Sequence, residues 1–307
     1  MITCFHRTLK DSKLSEVSDL KRPGVWIHAE KPTEEEITKL ANELKLDEGL
    51  LKDATDFFEV PRLEQADSVA YFFTRYVSSA IDEVTTSPIL IAIGPKFVLT
   101  VALETPPFLQ KFVEGKKRVI TTQKTKLFIQ TMFEINTRYT DALIAIRRDV
   151  RKSRKNIREI NNRDIIRFVA LEDTLTDFSS ALVPTNTALK SILSGQYLEL
   201  FEEDFDLVRD LQLANEQLIE SARSIEHTII NIRSTYTTIM TNNLNQIIKM
   251  LTALTIVLTI PTMISSLFGM NVPLPFADHP YAFEGVIFIT LLVAGGVAWL
   301  FTRKEWI

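Results

Sequence analysis

Cysteine is nearly missing from this chain: Cys4 is the one example in 307 residues. A lone thiol excludes a disulfide framework and fits a reducing cytoplasm. Histidine is scarce as well, and His6, His28, His227 and His279 are scattered rather than set at metal-ligand spacing. No glycine-rich phosphate loop and no zinc-ligand pattern occurs, so no enzyme is expected. The net charge of −4 and pI near 5.7 give no overall basic bias, and no nucleic-acid partner is expected. Met1 to Lys10 has no apolar signal core, so membrane insertion is expected to rest on later segments.

Charge itself is missing from two stretches. Met250 to Phe268 and Gly285 to Phe301 hold no charged residue, and the loop between them holds no Lys or Arg. A bilayer core about 30 Å thick takes about 20 apolar residues as helix, and both stretches qualify if the second starts near Tyr281. Arg233 and Lys249 precede the first span, and Arg303 and Lys304 follow the second. The positive-inside rule then puts both termini in the cytoplasm and the loop outside. The expected protein is multi-pass in the cell membrane, with the lipid bilayer as partner. A buried helical hairpin in a soluble protein is the alternative.

What precedes the spans has room for one large or two medium domains. Residues 1–120 read as mixed α/β. Val25–His28 is a short strand, and Thr33 to Glu36 is a capping box opening a helix through about Leu44. Ser68–Ser79, Ile89–Ile93 and Phe97–Leu103 read as an antiparallel strand series, and Thr105-Pro106-Pro107 as the start of a helix. Beyond Thr121 the period changes. Leu127, Phe128, Met132, Ile135, Tyr139, Leu143, Ile146 and Val150 recur at three-four spacing over Lys124–Ile160, and Asp164–Leu193 resumes it with an interruption at Pro184. These form a long antiparallel helical pair. From Glu202 no Gly or Pro occurs before Pro261, which predicts one helix of roughly 90 Å entering the membrane.

The expected division is a cytoplasmic α/β domain over 1–120, the helical pair over 121–195 and a stalk helix over 196–249. A first span over 250–270, an outer loop over 271–280, a second span over 281–302 and a basic tail over 303–307 follow. The fold class is an α+β cytoplasmic domain followed by long helices and two transmembrane helices.

Two charge clusters stand out. Arg147, Arg148, Arg151, Lys152, Arg154, Lys155 and Arg158 are basic; Glu199, Glu202, Glu203, Asp204, Asp206 and Asp210 are acidic. Each is either a functional surface or a solvated face, unless the helices that carry them pair with each other. A third pattern runs back from Gly269 in steps of three and four: Ser266, Thr262, Thr259, Thr255, Thr252, Ile248, Asn245, Thr241, Thr238, Ser234 and Asn231. Ten of these eleven are polar and uncharged. A 3.5-residue period holds one face on a shared axis. Ser and Thr also glue membrane helices together; the other reading is a water-facing pathway, which two spans enclose only in an oligomer.

Gly269-Met270-Asn271 closing a long helix, two spans, and the basic stretch Arg303-Lys304-Glu305-Trp306 together resemble the CorA family of magnesium channels. The resemblance implies a funnel-shaped homopentamer carrying divalent cations, with Mg²⁺ as both transported and regulatory ion. It implies an outer mouth at Gly269, Met270 and Asn271, with Asn271 meeting the incoming ion. Asn245, Thr252, Thr255, Thr259, Thr262 and Ser266 would line the pore, Thr259 standing where the family often has a bulkier apolar gate residue. Ile248 and Leu251 would form the apolar gate. Asp210 would share a regulatory Mg²⁺ with the neighbouring subunit, Asp82 and Glu83 being the candidate partners. The outer loop, Asn271-Val272-Pro273-Leu274-Pro275-Phe276, departs from the acidic family type, and the helical pair is basic where other members are acidic. The expected function is passive, potential-driven Mg²⁺ uptake gated by cytoplasmic Mg²⁺. Transport of Co²⁺, Ni²⁺ or Zn²⁺ is the alternative, although the stripe offers no Cys for a soft metal. A tethered scaffold would need no continuous polar stripe.

Overall fold

The computed structural model of the chain describes every residue except 81–82, 156–159, 199, 272–279 and 307; at 79–80, 83 and 153–155 it describes the backbone only. The chain divides into two compact units, Met1–Asn231 and Ile232–Ile307.

The first unit is built on a seven-stranded sheet. Its strands are β1 (Ile2–His6), β2 (Ser15–Val17), β3 (Val25–Glu30), β4 (Arg62–Ala66), β5 (Val69–Ala80), β6 (Glu83–Ile93) and β7 (Phe97–Ala102), in the spatial order β2-β1-β3-β7-β6-β5-β4. The series β5-β6-β7 is antiparallel, as expected. The centre is not: β3 and β7 run parallel, with Trp26 opposite Val98 and His28 opposite Thr100. A parallel pair needs a long crossover. Here the crossover contains α1 (Glu34–Leu44), α2 (Glu48–Asp53) and the three strands β4 to β6.

Side chains alternate between the two faces of the sheet, and each face meets its own helices. Val25, Ile27, Tyr71, Phe73, Leu90 and Leu99 pack with Ile37, Leu40 and Ala41 of α1 and Leu51 of α2. The Thr33 hydroxyl accepts from the Glu36 backbone N–H and the Glu36 carboxylate accepts from the Thr33 N–H, which fixes where α1 starts. The opposite face carries Trp26, Phe72, Thr74 and Tyr76. It is covered by α3 (Leu109–Val113), α4 (Lys124–Lys155) and α5 (Asn162–Ile192). Phe72 meets Phe128 edge-on at 5.0 Å, Trp26 meets Phe112 at 5.9 Å, and the Thr74 and Thr185 hydroxyls are 3.0 Å apart.

Two helix boundaries differ from expectation. Helix α3 starts at Leu109 after Phe108, two residues past the Pro106-Pro107 pair. Helix α5 passes through Pro184 unbroken. A proline forfeits one backbone hydrogen bond and crowds the preceding turn, yet Ala181, Leu182, Thr185 and Asn186 around it are buried. Tertiary packing on both sides therefore outweighs the local penalty. The break at Asn161 is a true start, since its side chain accepts from the Arg163 and Asp164 N–H groups.

Helix α6 (Glu202–Phe268) contributes to both units. Within the first, its early turns pack on α4 and α5 through Val208, Leu211, Ala222, Ile225 and Ile229. Buried amides fasten this seam. Asn136 Nδ2 donates to the Leu211 carbonyl at 3.5 Å, and Asn215 Nδ2 to the Leu182 carbonyl at 2.9 Å. Lys126 meets Glu203 and Arg147 meets Ser221, so α4 and α6 ascend in parallel.

The second unit holds the rest of α6 and α7 (Ala282–Arg303). Both helices are long and apolar enough to cross a membrane. In α7 none of the residues is buried. After it, Trp306 stacks on Phe301 at 5.5 Å and Arg303 lies over the Trp299 ring.

Candidate functional site

The polar stripe lies on one helix and is continuous, because α6 runs unbroken from Glu202 to Phe268 and carries Pro261 within it. Asn245, Ile248, Leu251, Thr252, Thr255, Thr259, Thr262 and Ser266 are therefore held in fixed helical phase. All eight are exposed. Ile248 is 50% and Leu251 61% exposed, so among the described residues neither expected gate position is buried.

Five threonines of the stripe share one hydrogen-bond arrangement. The Thr255 hydroxyl donates to the Leu251 carbonyl at 2.8 Å, Thr259 to Thr255 at 2.7 Å and Thr262 to Leu258 at 3.2 Å. Nearer the first unit, Thr238 donates to Ser234 at 3.0 Å and Thr241 to Thr237 at 2.9 Å. A hydroxyl has one proton and two lone pairs. With the proton spent on the preceding turn, each oxygen presents acceptor capacity only. Such a surface suits a ligand that donates, as the water shell of a hydrated metal cation does. Thr237 and Asn242 widen the polar face around Ser234, Thr238, Thr241 and Asn245. Sequence spacing at strict steps of three and four passed over them; the doublets Thr237-Thr238 and Asn242-Asn243 were the available signal.

At the end of α6 the Gly269 N–H donates to the Ser265 carbonyl at 3.0 Å and the Met270 N–H to the Leu267 carbonyl at 3.4 Å. Asn271 follows, exposed. A Cβ on Gly269 would come no nearer than 3.4 Å to the Ser265 carbonyl oxygen, an ordinary contact. Within one chain, alanine fits there. The outer loop, with Asp278, lies outside the described residues.

The acidic start of α6 separates into two environments. Asp210 is exposed on the helix between buried Val208 and Leu211 and has no ion pair among the described residues. Asp204 is buried, not a surface charge, and its Oδ1 lacks a hydrogen-bond partner. Glu199 and Asp82 lie outside the described residues, as does the side chain of Glu83. Among the described residues no group of three His, Cys, Asp or Glu is placed to hold a metal ion. Among the described residues the basic cluster does not pair with the acidic one: Lys126 holds Glu203, while Arg147 reaches Ser221 further along α6. Arg154, Lys155 and Arg158 are among the side chains not described.

Comparison with known proteins gives a consistent result over nearly the whole chain. The "Cobalt/magnesium transport protein CorA" of Methanocaldococcus jannaschii is 24% identical over 309 residues, covering 98% of this chain and 96% of the relative. The "Putative metal ion transporter YfjQ" of Bacillus subtilis is 23% identical over 320 residues, covering 99% and 97%. The solved structure of the complete CorA magnesium transporter from Methanocaldococcus jannaschii superposes with a TM-score of 0.87 at 21% identity, covering 100% of this chain and 99% of that one. The sequence model described as "CorA-like Mg2+ transporter protein" matches residues 23–303, and with that span the chain belongs to the CorA-like Mg²⁺ transporter family.

Proposed function

We propose that this chain forms a passive, potential-driven uptake channel for Mg²⁺, built from five copies arranged around the polar face of α6. The observation that carries this reading is the polar stripe itself, five of whose threonines spend their hydroxyl protons on the preceding turn and present acceptor oxygens. It holds no carboxylate from Asn231 to Asn271, and the apolar side chains of Ile247, Met250, Leu254 and Leu258 beside it are exposed. Mg²⁺ gives up its water reluctantly and keeps octahedral oxygen geometry. A ring of neutral oxygens holds the hydrated ion without stripping it, and weakly enough for it to leave.

In this reading Gly269, Met270 and Asn271 form the outer mouth, and the Asn271 amide oxygens meet the hydrated ion first. Thr252, Thr255, Thr259, Thr262 and Ser266 pass it inward, and Asn245 receives it at the cytoplasmic end. Ile248 and Leu251 interrupt the acceptor surface and close the path by dewetting. Asp210 takes a regulatory Mg²⁺ across a subunit boundary, with Asp82 or Glu83 of the neighbour as partner. One exposed carboxylate is too few for a divalent site, and two carboxylates across an interface repel each other until a cation lies between them. Both termini face the cytoplasm. The name of the archaeal relative favours Co²⁺ as a second cargo.

The test is uptake of Mg²⁺, Co²⁺ and Ni²⁺ in cells lacking other importers. The parent chain is expected to restore Mg²⁺ entry. Asn271→Ala is expected to abolish it while leaving a folded, membrane-inserted oligomer. Transport by that variant at the parent rate would remove Asn271 from the pathway.

A further inference from the structure

We propose that the exposed basic face of α4, around Arg148, Arg151 and Lys152, binds a soluble polyphosphate anion, at a site separate from the ion pathway. Arg147, Arg148, Arg151 and Lys152 place four positive charges within six residues of a chain whose net charge is −4. With Ile144 they line a shallow surface concavity of about 470 Å³. Like charges three and four apart on a helix destabilise it, so this face is under electrostatic tension until an anion joins it.

Nothing in the described part of the chain supplies that anion. Arg147 Nη2 donates to Ser221 Oγ at 2.7 Å, a neutral partner that orients the guanidinium without discharging it. Arg148, Arg151 and Lys152 are exposed and have no hydrogen bond or ion pair among the described residues. Asp149, in the middle of the run, is held by Arg167 at 2.6 Å, and Glu220 on the facing turn of α6 is held by Arg223 at 3.0 Å. The acidic start of α6 is out of reach. Glu203 lies beside Lys126 and Ser221 beside Arg147. Eighteen helical residues separate Glu203 from Ser221, about 27 Å along the axis, and the Debye length in physiological salt is about 8 Å.

The shape of the cluster selects the ligand class. Guanidinium groups take phosphoryl oxygens in paired, planar contacts that an ammonium does not make. From Arg147 to Lys152 the charges extend about 7.5 Å along the helix. A chain of phosphoryl groups covers that span; a single inorganic phosphate does not. Ile144, half exposed at the rim, offers an apolar contact to an uncharged group attached to the phosphates.

The full chain in nanodiscs of neutral phosphatidylcholine, titrated calorimetrically with sodium tripolyphosphate and with orthophosphate, tests this. Tripolyphosphate is expected to bind saturably and at least about tenfold more tightly than orthophosphate. The triple variant Arg148→Gln, Arg151→Gln, Lys152→Gln keeps helix-forming residues at exposed positions, and is expected to weaken that binding about tenfold or more. Equal binding by parent and variant overturns the proposal, as does the absence of saturable binding by the parent. Retention of anionic phosphatidylglycerol from mixed discs by the parent but not the variant, without tripolyphosphate binding, overturns it in favour of a lipid-headgroup surface. None of these readouts passes through Asn271, so a failed channel reading leaves this test standing.

Discussion

In the first unit Trp26, Tyr71, Phe72, Tyr139 and Phe178 are at most 1% exposed; in the second, Leu258, Phe283 and Leu291 are at least 61% exposed. Apolar residues of the same kinds meet opposite fates in one chain. The first unit closes its core with its own residues, helices on both faces of a sheet, and buried amides fastening the seams. The second has helices of high hydropathy and almost nothing of its own to cover them. An exposed apolar surface of that extent is an interaction surface. For the apolar spans that surface suits lipid; in the channel reading proposed above, the polar face of α6 would meet water and other copies of the chain. Stability is thus intrinsic in one unit and conferred by the surroundings in the other.

The sharpest way to break this contrast is to truncate an aromatic in each unit. Phe72→Ala removes a ring packed on Phe128 and is expected to cost the first unit about 3–5 kcal/mol, read as the shift of its denaturant midpoint. Phe288→Ala, exposed in α7, is expected to leave that midpoint where it is. Equal shifts would mean that the second unit has an intrachain core after all.

The next effect is a pH dependence confined to the first unit. Burial pushes the His28 imidazole down to about 4 from an ordinary value of 6.5, with Nδ1 2.8 Å from the Thr100 hydroxyl and Nε2 without a partner. The folded chain thus holds His28 neutral where the unfolded chain takes up a proton. Stability is complete above pH 6.5, falls on acidification towards pH 4 and levels off below. The full loss from this group is about 3 kcal/mol. His28→Gln is expected to flatten that stretch of the profile, measured as unfolding midpoints at pH 7, 5.5 and 4.5. An unchanged slope would assign the acid sensitivity to other groups.

Ile248→Ser and Leu251→Ser sharpen the comparison from the other side. Both side chains lack intrachain cover, so each change is expected to move the stability of the first unit by less than about 0.5 kcal/mol. Transport is expected to change visibly, as a leak at high cytoplasmic Mg²⁺. Unaltered gating in both would end the dewetting account. The smallest effect on the fold itself is expected at Asp210. Asp210→Ala is expected to leave the fold intact and to weaken the protection from limited proteolysis that millimolar Mg²⁺ confers. An ion bound to one arrangement stabilises it by only about 2.7 kcal/mol at a hundredfold excess over its dissociation constant. Identical protection of parent and variant would make Asp210 a plain surface charge.

The second unit was far more legible in the sequence than the first. A charge-free stretch and a helical period are local signals, and α6 and α7 follow them closely. The capping box at Thr33 is local as well. The sheet was legible only where its strands are apolar. Edge strands escaped notice: β4 reads Arg-Leu-Glu-Gln-Ala and β2 is three residues long. The parallel pairing of β3 with β7 leaves no short-range trace, since neither strand's pattern encodes its partner. Pro184 misled for the same reason, because burial around it, invisible in a one-dimensional pattern, overrides its local cost. At the candidate site, spacing located the polar face but not the hydroxyl protons turned onto the preceding turn, which leave five of its threonines presenting acceptors. The pairing of Asp210 with Asp82 or Glu83 rests on residues outside those described.

The parallel pair at the sheet's centre also sets a timetable. His28 and Thr100 are joined across 72 residues, whereas β5, β6 and β7 meet through hairpins that close as they emerge. Closing the longer loop is entropically slower. At a synthesis rate of about 5–20 residues per second, β7 leaves the ribosome roughly 4–14 s after β3. For that interval Trp26, Ile27 and Ala29 have one edge paired to β1 and the other open. A translational pause between Glu30 and Phe97 would lengthen the exposure of a strand rich in apolar side chains, and silent codon changes in that stretch would alter the yield of folded protein without altering a single residue.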